Sequence, residues 1–274
     1  MSGRNFSFGA RKKPAVPLRA LLVCFAKVAR TEIVKDWGLA SCIAGTRITI
    51  DVLKRYGVEA VSIPVDLFAC NAAYMKAVDA GDQPPTDKRA LTEWFARTGA
   101  WSAGTGIAAI TEHDIHIVED YVPPGDPVHD WIPVNMNMFP QPLKDGDVVM
   151  LGKRGYRYYD ESAGECLSPI HVGHVVAHLP KHSLIVDASA DQVDEPEKGI
   201  ELPSVVVINS NRRFLNGEEL LIGDCNGGCF QYKRTDNETY REAEIWRDKS
   251  KTKHTRESIC AGIERLLGTL QMAG

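Results

Sequence analysis

Apolar residues recur every three to four positions in five stretches of the chain, which is the spacing of one buried helix face. These stretches cover residues 18–34, 40–53, 71–80, 88–97 and 256–270. The second stretch is followed by Tyr56 and Gly57, and glycine commonly stands just after the last turn of a helix. Most of the predicted helices therefore precede residue 100.

Short apolar or alternating runs predict strands in much of the remaining chain. They lie at residues 58–65, 115–118, 146–151, 174–179, 183–187, 205–208 and 228–233, whereas residues 135–142 follow no period. Pro180 and Lys181 predict a turn between two of these strands, at residues 174–179 and 183–187. Helices first and antiparallel strands afterwards favour an α+β fold with one domain over residues 16–274.

The composition fits a globular protein and argues against some partners. The 274 residues are 44% hydrophobic and 25% charged, which suffices for a sizeable core. A net charge of −4 disfavours a nucleic-acid or membrane-surface binder, because neither gains from an acidic field. The polar residues 1–15 predict a disordered basic arm. Arg19 and Lys27 interrupt the apolar run that follows, so we expect no secretory leader.

The cysteines and histidines do not form a metal-binding pattern. The seven cysteines are odd in number and scattered, which is typical of a protein from the reducing cytoplasm. Cys225 and Cys229 are a close pair, but zinc sites usually need a second pair or spaced histidines. Four histidines fall between residues 171 and 182, where the turn at Pro180 is expected to break their alignment. We therefore expect no metal and no cofactor.

Cys42, His174 and Asp187 occur in the order and in the settings of a catalytic triad. Cys42 opens the second predicted helix, His174 opens one predicted strand, and Asp187 closes the next. A helix start presents unpaired N–H groups and the positive end of the helix dipole, which favour a thiolate, the attacking species in acyl transfer. The hairpin can bring His174 beside Asp187, which would orient the imidazole.

Each of these three residues also has a structural interpretation. Free cysteines are most often buried packing residues. His174 could be a hydrogen-bonded histidine on a half-buried strand, and Asp187 could cap a turn with the help of Ser189.

Two blocks of the sequence resemble transglutaminase-like proteins. Residues 41–47 (SCIAGTR) and 53–60 (LKRYGVEA) are similar to the cysteine helix and the following strand of that superfamily. Residues 173–174 (GH) and 185–192 (IVDASADQ) are similar to its histidine and aspartate strands. The superfamily shares its core with papain-like peptidases and arylamine N-acetyltransferases. The resemblance implies a papain-like or transglutaminase-like α+β core, in which N-terminal helices, one with the cysteine at its start, pack on an antiparallel sheet.

The resemblance also implies a role for each site residue. Cys42 would be the nucleophile, His174 the general base and Asp187 its orienting partner, with the backbone N–H of Cys42 in an oxyanion hole. Trp37, five residues before the cysteine, would line the substrate site. Papain-like peptidases carry a glutamine shortly before the nucleophile as an oxyanion donor, and this sequence has none there.

Two features depart from the simple pattern. The long separation between Cys42 and His174 implies an insertion at about residues 66–170, which would shape substrate choice. A second alignment, over residues 147–149 and 171–173, resembles bacterial cell-wall endopeptidases of the papain-like class. It would make His171 the base and leave the nucleophile unchanged.

The sequence thus predicts a cytoplasmic cysteine-dependent hydrolase or acyltransferase. It would act on an amide, ester or thioester of a peptide, a protein or a small molecule, through an acyl-cysteine intermediate. The alternative is a catalytically inactive transglutaminase-like fold that binds a protein partner, which the missing glutamine and the long insertion favour. An N-acetyltransferase is a third interpretation, although that family places its histidine much closer to the cysteine.

Overall fold

The computed structural model describes residues 16–38, 41–85, 88–105 and 173–272, together with the backbone of five strands between residues 115 and 170. The arm predicted at residues 1–15 and the alternative base His171 lie outside the described residues. Within the described part of the chain, none of the helices has the length and apolar character required to cross a membrane.

The five predicted helices are present close to their expected positions, and the described residues also include two four-residue helices that were not predicted. They are α1 (Leu18–Trp37), α2 (Cys42–Arg55), α3 (Ala72–Asp79), α4 (Lys88–Thr98), α5 (Arg212–Leu215), α6 (Glu244–Arg247) and α7 (Lys253–Met272). Helix α2 ends as predicted at Gly57, whose φ of 80° is a left-handed conformation that glycine adopts at low cost. The N–H groups of Gly57 and Val58 donate to the carbonyls of Lys54 and Leu53, which closes the last turn.

The strands form two antiparallel sheets. They are β1 (Val61–Cys70), β2 (Ser102–Gly104), β3 (Ile115–Ile117), β4 (Ile132–Met136), β5 (Val148–Gly152), β6 (Gly155–Asp160), β7 (Glu165–Ile170), β8 (His174–Leu179), β9 (Leu184–Asp187), β10 (Val206–Asn209), β11 (Leu221–Cys225) and β12 (Gly228–Arg234). The first sheet has the order β10-β9-β8-β1-β12-β11, and β2 pairs with β1. The second sheet is a meander from β3 to β7. The predicted α+β class with an antiparallel sheet is confirmed.

The insertion expected at about residues 66–170 maps onto parts of both sheets. Its first residues, 66–70, belong to β1 in the middle of the first sheet, where they pair with β12. The second sheet lies wholly within it. The sequence indicated β3 and β5 but not β4, β6 and β7, because residues 132–136 and 155–170 mix polar and apolar positions without a steady period.

Apolar side chains cover both faces of the first sheet. Helices α1, α2 and α7 pack against one face through residues such as Phe25, Ile48 and Ile259, which meet Ala177 of β8 and Val186 of β9. The other face is covered by a second cluster of buried residues, including Leu67, Val176, Phe214, Phe230 and Tyr232. Strand β8 is therefore buried along its whole length, which explains its nearly continuous apolar sequence.

Candidate active site

Cys42 is the first residue of α2, and its side chain is half-buried. The first N–H groups of a helix have no carbonyl partner within the helix, so they give this end a positive potential. The Ser41 hydroxyl, at the N-cap position, accepts a hydrogen bond of 2.9 Å from the Arg30 guanidinium on α1. Further along α2, Gly45 lies against Ser189, since a Cβ on Gly45 would stand 3.5 Å from the Ser189 hydroxyl oxygen. Helix α2 therefore begins beside the loop that follows β9.

His174 and Asp187 meet at one end of the first sheet. His174 is the first residue of β8 and Asp187 the last residue of β9, and the two strands are antiparallel neighbours. A 3₁₀ turn at Pro180–His182 connects them, as the sequence predicted. His174 Nε2 lies 2.6 Å from Asp187 Oδ2, and both side chains are fully buried.

The Asp187 carboxylate has further hydrogen-bond donors on both oxygens. The Tyr232 hydroxyl on β12 donates to Oδ2 at 2.8 Å, and the Ser189 N–H donates to Oδ1 at 2.9 Å. Burial alone would raise the pKa of Asp187, but the charge of His174 and these hydrogen bonds hold that pKa below its usual range. Asp187 is therefore ionised and fixed in orientation.

The protonation of His174 follows from its two neighbours. Burial would lower the pKa of His174, but the charge of Asp187, the hydrogen bond to Asp187 and the Cys42 thiol together raise that pKa to about 10. The Cys42 thiol is thus one of the groups that favour the protonated form of His174. Because Asp187 occupies Nε2, the Nε2 atom carries a hydrogen, and Nδ1, which the Gln192 amide approaches, is the ring nitrogen that can take up a further proton.

Two residues that the sequence did not single out complete this environment. The ring of Tyr232 lies parallel to that of His174, with 6.4 Å between ring centroids and 16° between planes. The side-chain amide of Gln192, on the 3₁₀ turn Ala190–Val193, lies with Nε2 2.6 Å from His174 Nδ1. Neither position carries a local signal, because a tyrosine in an apolar strand and a glutamine in a polar turn are ordinary.

A buried ion pair connects the two segments that carry Cys42 and Gln192. The Arg30 guanidinium, 5% exposed, binds both carboxylate oxygens of Asp191 at 2.6 and 2.7 Å. The same side chain donates to Ser41. Arg30 on α1 thus holds the residue before the nucleophile and the residue before the glutamine in one arrangement.

Trp37 is the last residue of α1, close in sequence to the nucleophile. Its indole N–H donates to the Thr255 hydroxyl on α7 at 3.2 Å, and its ring packs against the helical side of the core. The contacts that fix Trp37 are thus with α7, and a role in lining the substrate site stays a prediction.

A second group of cysteines lies elsewhere in the first sheet. Cys70 and Cys229 are opposite each other on β1 and β12, with 3.5 Å between their sulfur atoms. The Cys225 thiol donates to the Glu201 carbonyl at 2.9 Å. Among the described residues, no group of three histidine, cysteine or acidic side chains is placed to hold a metal ion.

An open depression of about 320 Å³ lies on the same side as these cysteines, away from the triad. Asn71, Lys198 and Asn226 are among the residues that line it, and no triad residue does. Lys198 and Glu201 line this depression, but no cysteine, serine, threonine or histidine does, so it is a weaker candidate than the Cys42 site for nucleophilic chemistry.

The Cys42 site therefore combines a thiol at a helix start with an imidazole that is hydrogen-bonded to a buried carboxylate. This arrangement can produce a thiolate–imidazolium pair and transfer a proton at the attacking atom. No protein-family model, no curated protein and no solved structure matches this chain.

Proposed function

We propose that this protein is a cysteine-dependent hydrolase or acyltransferase that acts on an amide, ester or thioester. The proposal rests on His174, which is hydrogen-bonded to the buried Asp187 carboxylate and whose pKa is raised by Asp187 and by the Cys42 thiol. A histidine needed only for packing would not require a buried carboxylate that is itself held by a tyrosine hydroxyl and a backbone N–H.

Before substrate binds, the Cys42 thiol proton already resides on His174, whose pKa is raised to about 10, so the resting site is a thiolate–imidazolium pair. The thiolate attacks the substrate carbonyl carbon, a C–S bond forms, and the carbonyl π electrons move to oxygen. The tetrahedral intermediate collapses to an acyl-cysteine, and the leaving group takes the proton from Nδ1. Water or an amine, activated by neutral His174, then attacks the acyl group and regenerates the thiol.

Asp187 acts throughout as the orienting group for His174. It keeps a hydrogen on Nε2, so that Nδ1 faces the thiol, and its charge stabilises the imidazolium that forms. Tyr232 and Ser189 keep the carboxylate ionised and in place, so no proton needs to move from His174 to Asp187.

The same proposal includes a papain-like or transglutaminase-like core and a cytoplasmic location. The placement of the cysteine at the start of a helix that packs on an antiparallel sheet supports the core assignment, as does the placement of the histidine and aspartate on adjacent strands. The free thiols of the six described cysteines suit a reducing compartment.

A small activated ester tests the function without knowledge of the natural substrate. Wild-type protein treated with 4-nitrophenyl acetate should release 4-nitrophenolate in a burst and gain one acetyl group on Cys42. Cys42→Ser should abolish that acetylation, and His174→Ala should slow it by about 10²-fold or more, because the general base is lost.

His178→Ala is the matched control, since His178 is a second buried histidine on β8. Its rate should stay within about threefold of the wild type. If the wild type reacts no faster than His174→Ala, the site is not catalytic. In that case the inactive, partner-binding alternative would be the better account.

A further inference from the structure

Gln192 occupies a position next to the reacting atoms that the proposed mechanism has not used. Its side-chain amide approaches the ring edge opposite Asp187, with Nε2 2.6 Å from His174 Nδ1. In the proposed mechanism Nδ1 is also the atom that holds the proton of Cys42. The amide is therefore in contact with the nitrogen that returns this proton to the leaving group.

The protonation state of His174 controls what the Gln192 amide can bind. Neutral Nδ1 has a lone pair and accepts a hydrogen bond from the Gln192 N–H. In the thiolate–imidazolium pair Nδ1 carries a proton, that lone pair is gone, and the amide loses this acceptor. Its N–H is then available before negative charge develops on the attacked substrate.

We propose that the Gln192 side-chain amide donates a hydrogen bond to the substrate oxyanion, together with the backbone N–H of Cys42. The inference rests on the proposed function and adds a catalytic residue to it. The glutamine missing before the nucleophile would thus be replaced by one that follows the aspartate strand. Donors fixed where charge develops contribute more than donors that must reorganise during the reaction.

The surrounding structure holds Gln192 where this role requires it. Its backbone N–H donates to the Ser189 carbonyl at 3.2 Å, which closes the turn after Asp187. The neighbouring Asp191 carboxylate is bound by Arg30, which also holds Ser41 before the nucleophile. One guanidinium therefore sets the distance between the two proposed donors, the Cys42 N–H and the Gln192 amide.

Two reagents separate an oxyanion donor from a residue that only orients His174. Acetylation of Cys42 by 4-nitrophenyl acetate passes through an oxyanion, whereas alkylation by iodoacetamide displaces iodide at a saturated carbon and forms none. Both reactions need the same thiolate. The ratio of the two rates on Cys42 therefore reports oxyanion stabilisation alone.

Gln192→Ala should reduce the acetylation rate by about 10²-fold, while alkylation changes by less than about threefold. Gln192→Glu preserves shape and adds a charge that favours the imidazolium, but its ionised carboxylate cannot donate. It should leave alkylation at or above the wild-type rate and still lose acetylation. Gln83→Ala is the matched control, because its exposed amide donates only to the Val78 carbonyl near the end of α3.

Three results would overturn the assignment. A parallel fall of both rates in both variants would make Gln192 a residue that positions His174. No change in either rate would make it a bystander, and retained acetylation in Gln192→Glu would exclude donation. The proposed function fails separately, when wild-type Cys42 reacts with both reagents no faster than Cys42 in His174→Ala.

Discussion

Two cysteines of the described residues, Cys42 and Cys229, differ in the side chain that neighbours the sulfur atom. Cys42 lies half-buried at a helix start beside His174, whose partner is a buried carboxylate. Cys229 is 5% exposed and faces another thiol, that of Cys70. The hydrogen bond from Cys70 lowers the pKa of Cys229, and the same contact raises the pKa of Cys70.

A lowered pKa, as at Cys229, is not sufficient for a thiol to act as a nucleophile. A nucleophile also needs access to substrate and a group that returns the proton to the leaving group. Cys229 lacks a neighbouring base among the described residues, and its sulfur is closed off by the pairing of β1 with β12. Cys42 is partly open, and in the proposed mechanism His174 is its base, so the two sites should respond very differently to the same substitutions.

The largest effect is expected from Asp187→Asn. The asparagine amide can donate to Nε2, which would move the hydrogen of neutral His174 to Nδ1 and remove the acceptor for the thiol proton. Acetylation of Cys42 should fall by about 10³-fold or more, measured as release of 4-nitrophenolate. Labelling of Cys229 in unfolded protein should be unchanged, as a control for reagent quality. A loss below tenfold would contradict the orienting role of Asp187.

Arg30→Met should remove the contacts that Arg30 makes with Ser41 and Asp191 near Cys42. The contacts around Cys229 should be unchanged. It removes one partner of a buried ion pair and leaves the Asp191 carboxylate uncompensated. The free energy of unfolding in urea should fall by about 3 kcal/mol. Arg97→Met is the matched control, because the Arg97–Asp82 pair is exposed and its loss should lower the free energy of unfolding much less. Equal losses of unfolding free energy in Arg30→Met and Arg97→Met would contradict a stabilising role of the buried Arg30–Asp191 pair.

Tyr232→Phe tests the hydrogen bond that Tyr232 donates to the Asp187 carboxylate, and its effect should be smaller than that of Arg30→Met. It removes a hydrogen bond to the charged Asp187, so stability should fall by about 2 kcal/mol. Tyr240→Phe is the control, since Tyr240 is equally buried and its hydroxyl contacts the neutral Ser62 hydroxyl, for an expected loss of about 1 kcal/mol. Thermal unfolding of both variants gives the comparison. A smaller loss of stability for Tyr232→Phe than for Tyr240→Phe would contradict the proposal that Tyr232 stabilises the ionised Asp187.

The smallest effect is expected from Cys229→Ala. The substitution removes a buried thiol contact with Cys70, so stability should fall by about 1 kcal/mol. Acetylation of Cys42 should stay within about twofold of the wild type, because the two sites share no residue. A large loss of acetylation would mean that the pair on β1 and β12 is coupled to the triad.

The sequence predicted the parts of this site that depend on local pattern. Cys42 at a helix start, His174 at a strand start and Asp187 at the end of the next strand follow from periodicity and from one turn at Pro180. The β8–β9 hairpin is formed by neighbours in the chain, so its geometry is accessible to sequence reasoning. Strand β11 was missed because its Gly223 and Asp224 are residues that strands generally disfavour.

The supporting contacts could not be predicted, because they join distant parts of the chain. The Arg30–Asp191 pair spans 161 positions, and the hydrogen bond from Tyr232 to Asp187 spans 45. An arginine within an amphipathic helix normally indicates the solvent face, yet Arg30 is buried. Only the packing of α1 against the end of the first sheet reveals what Arg30 binds.

The most direct test of the central claim is the pH dependence of iodoacetamide labelling at Cys42, read by peptide mass spectrometry in the wild type and in His174→Ala. His174 has a raised pKa of about 10, so it stays protonated, and keeps the thiolate paired with it, as pH rises from 6 through 9. Wild-type labelling should therefore be fast and nearly constant over that range. In His174→Ala, labelling should be slow at pH 6 and rise with pH as for an ordinary thiol. Identical profiles for the two proteins would contradict a Cys42–His174 pair and leave Cys42 a structural residue.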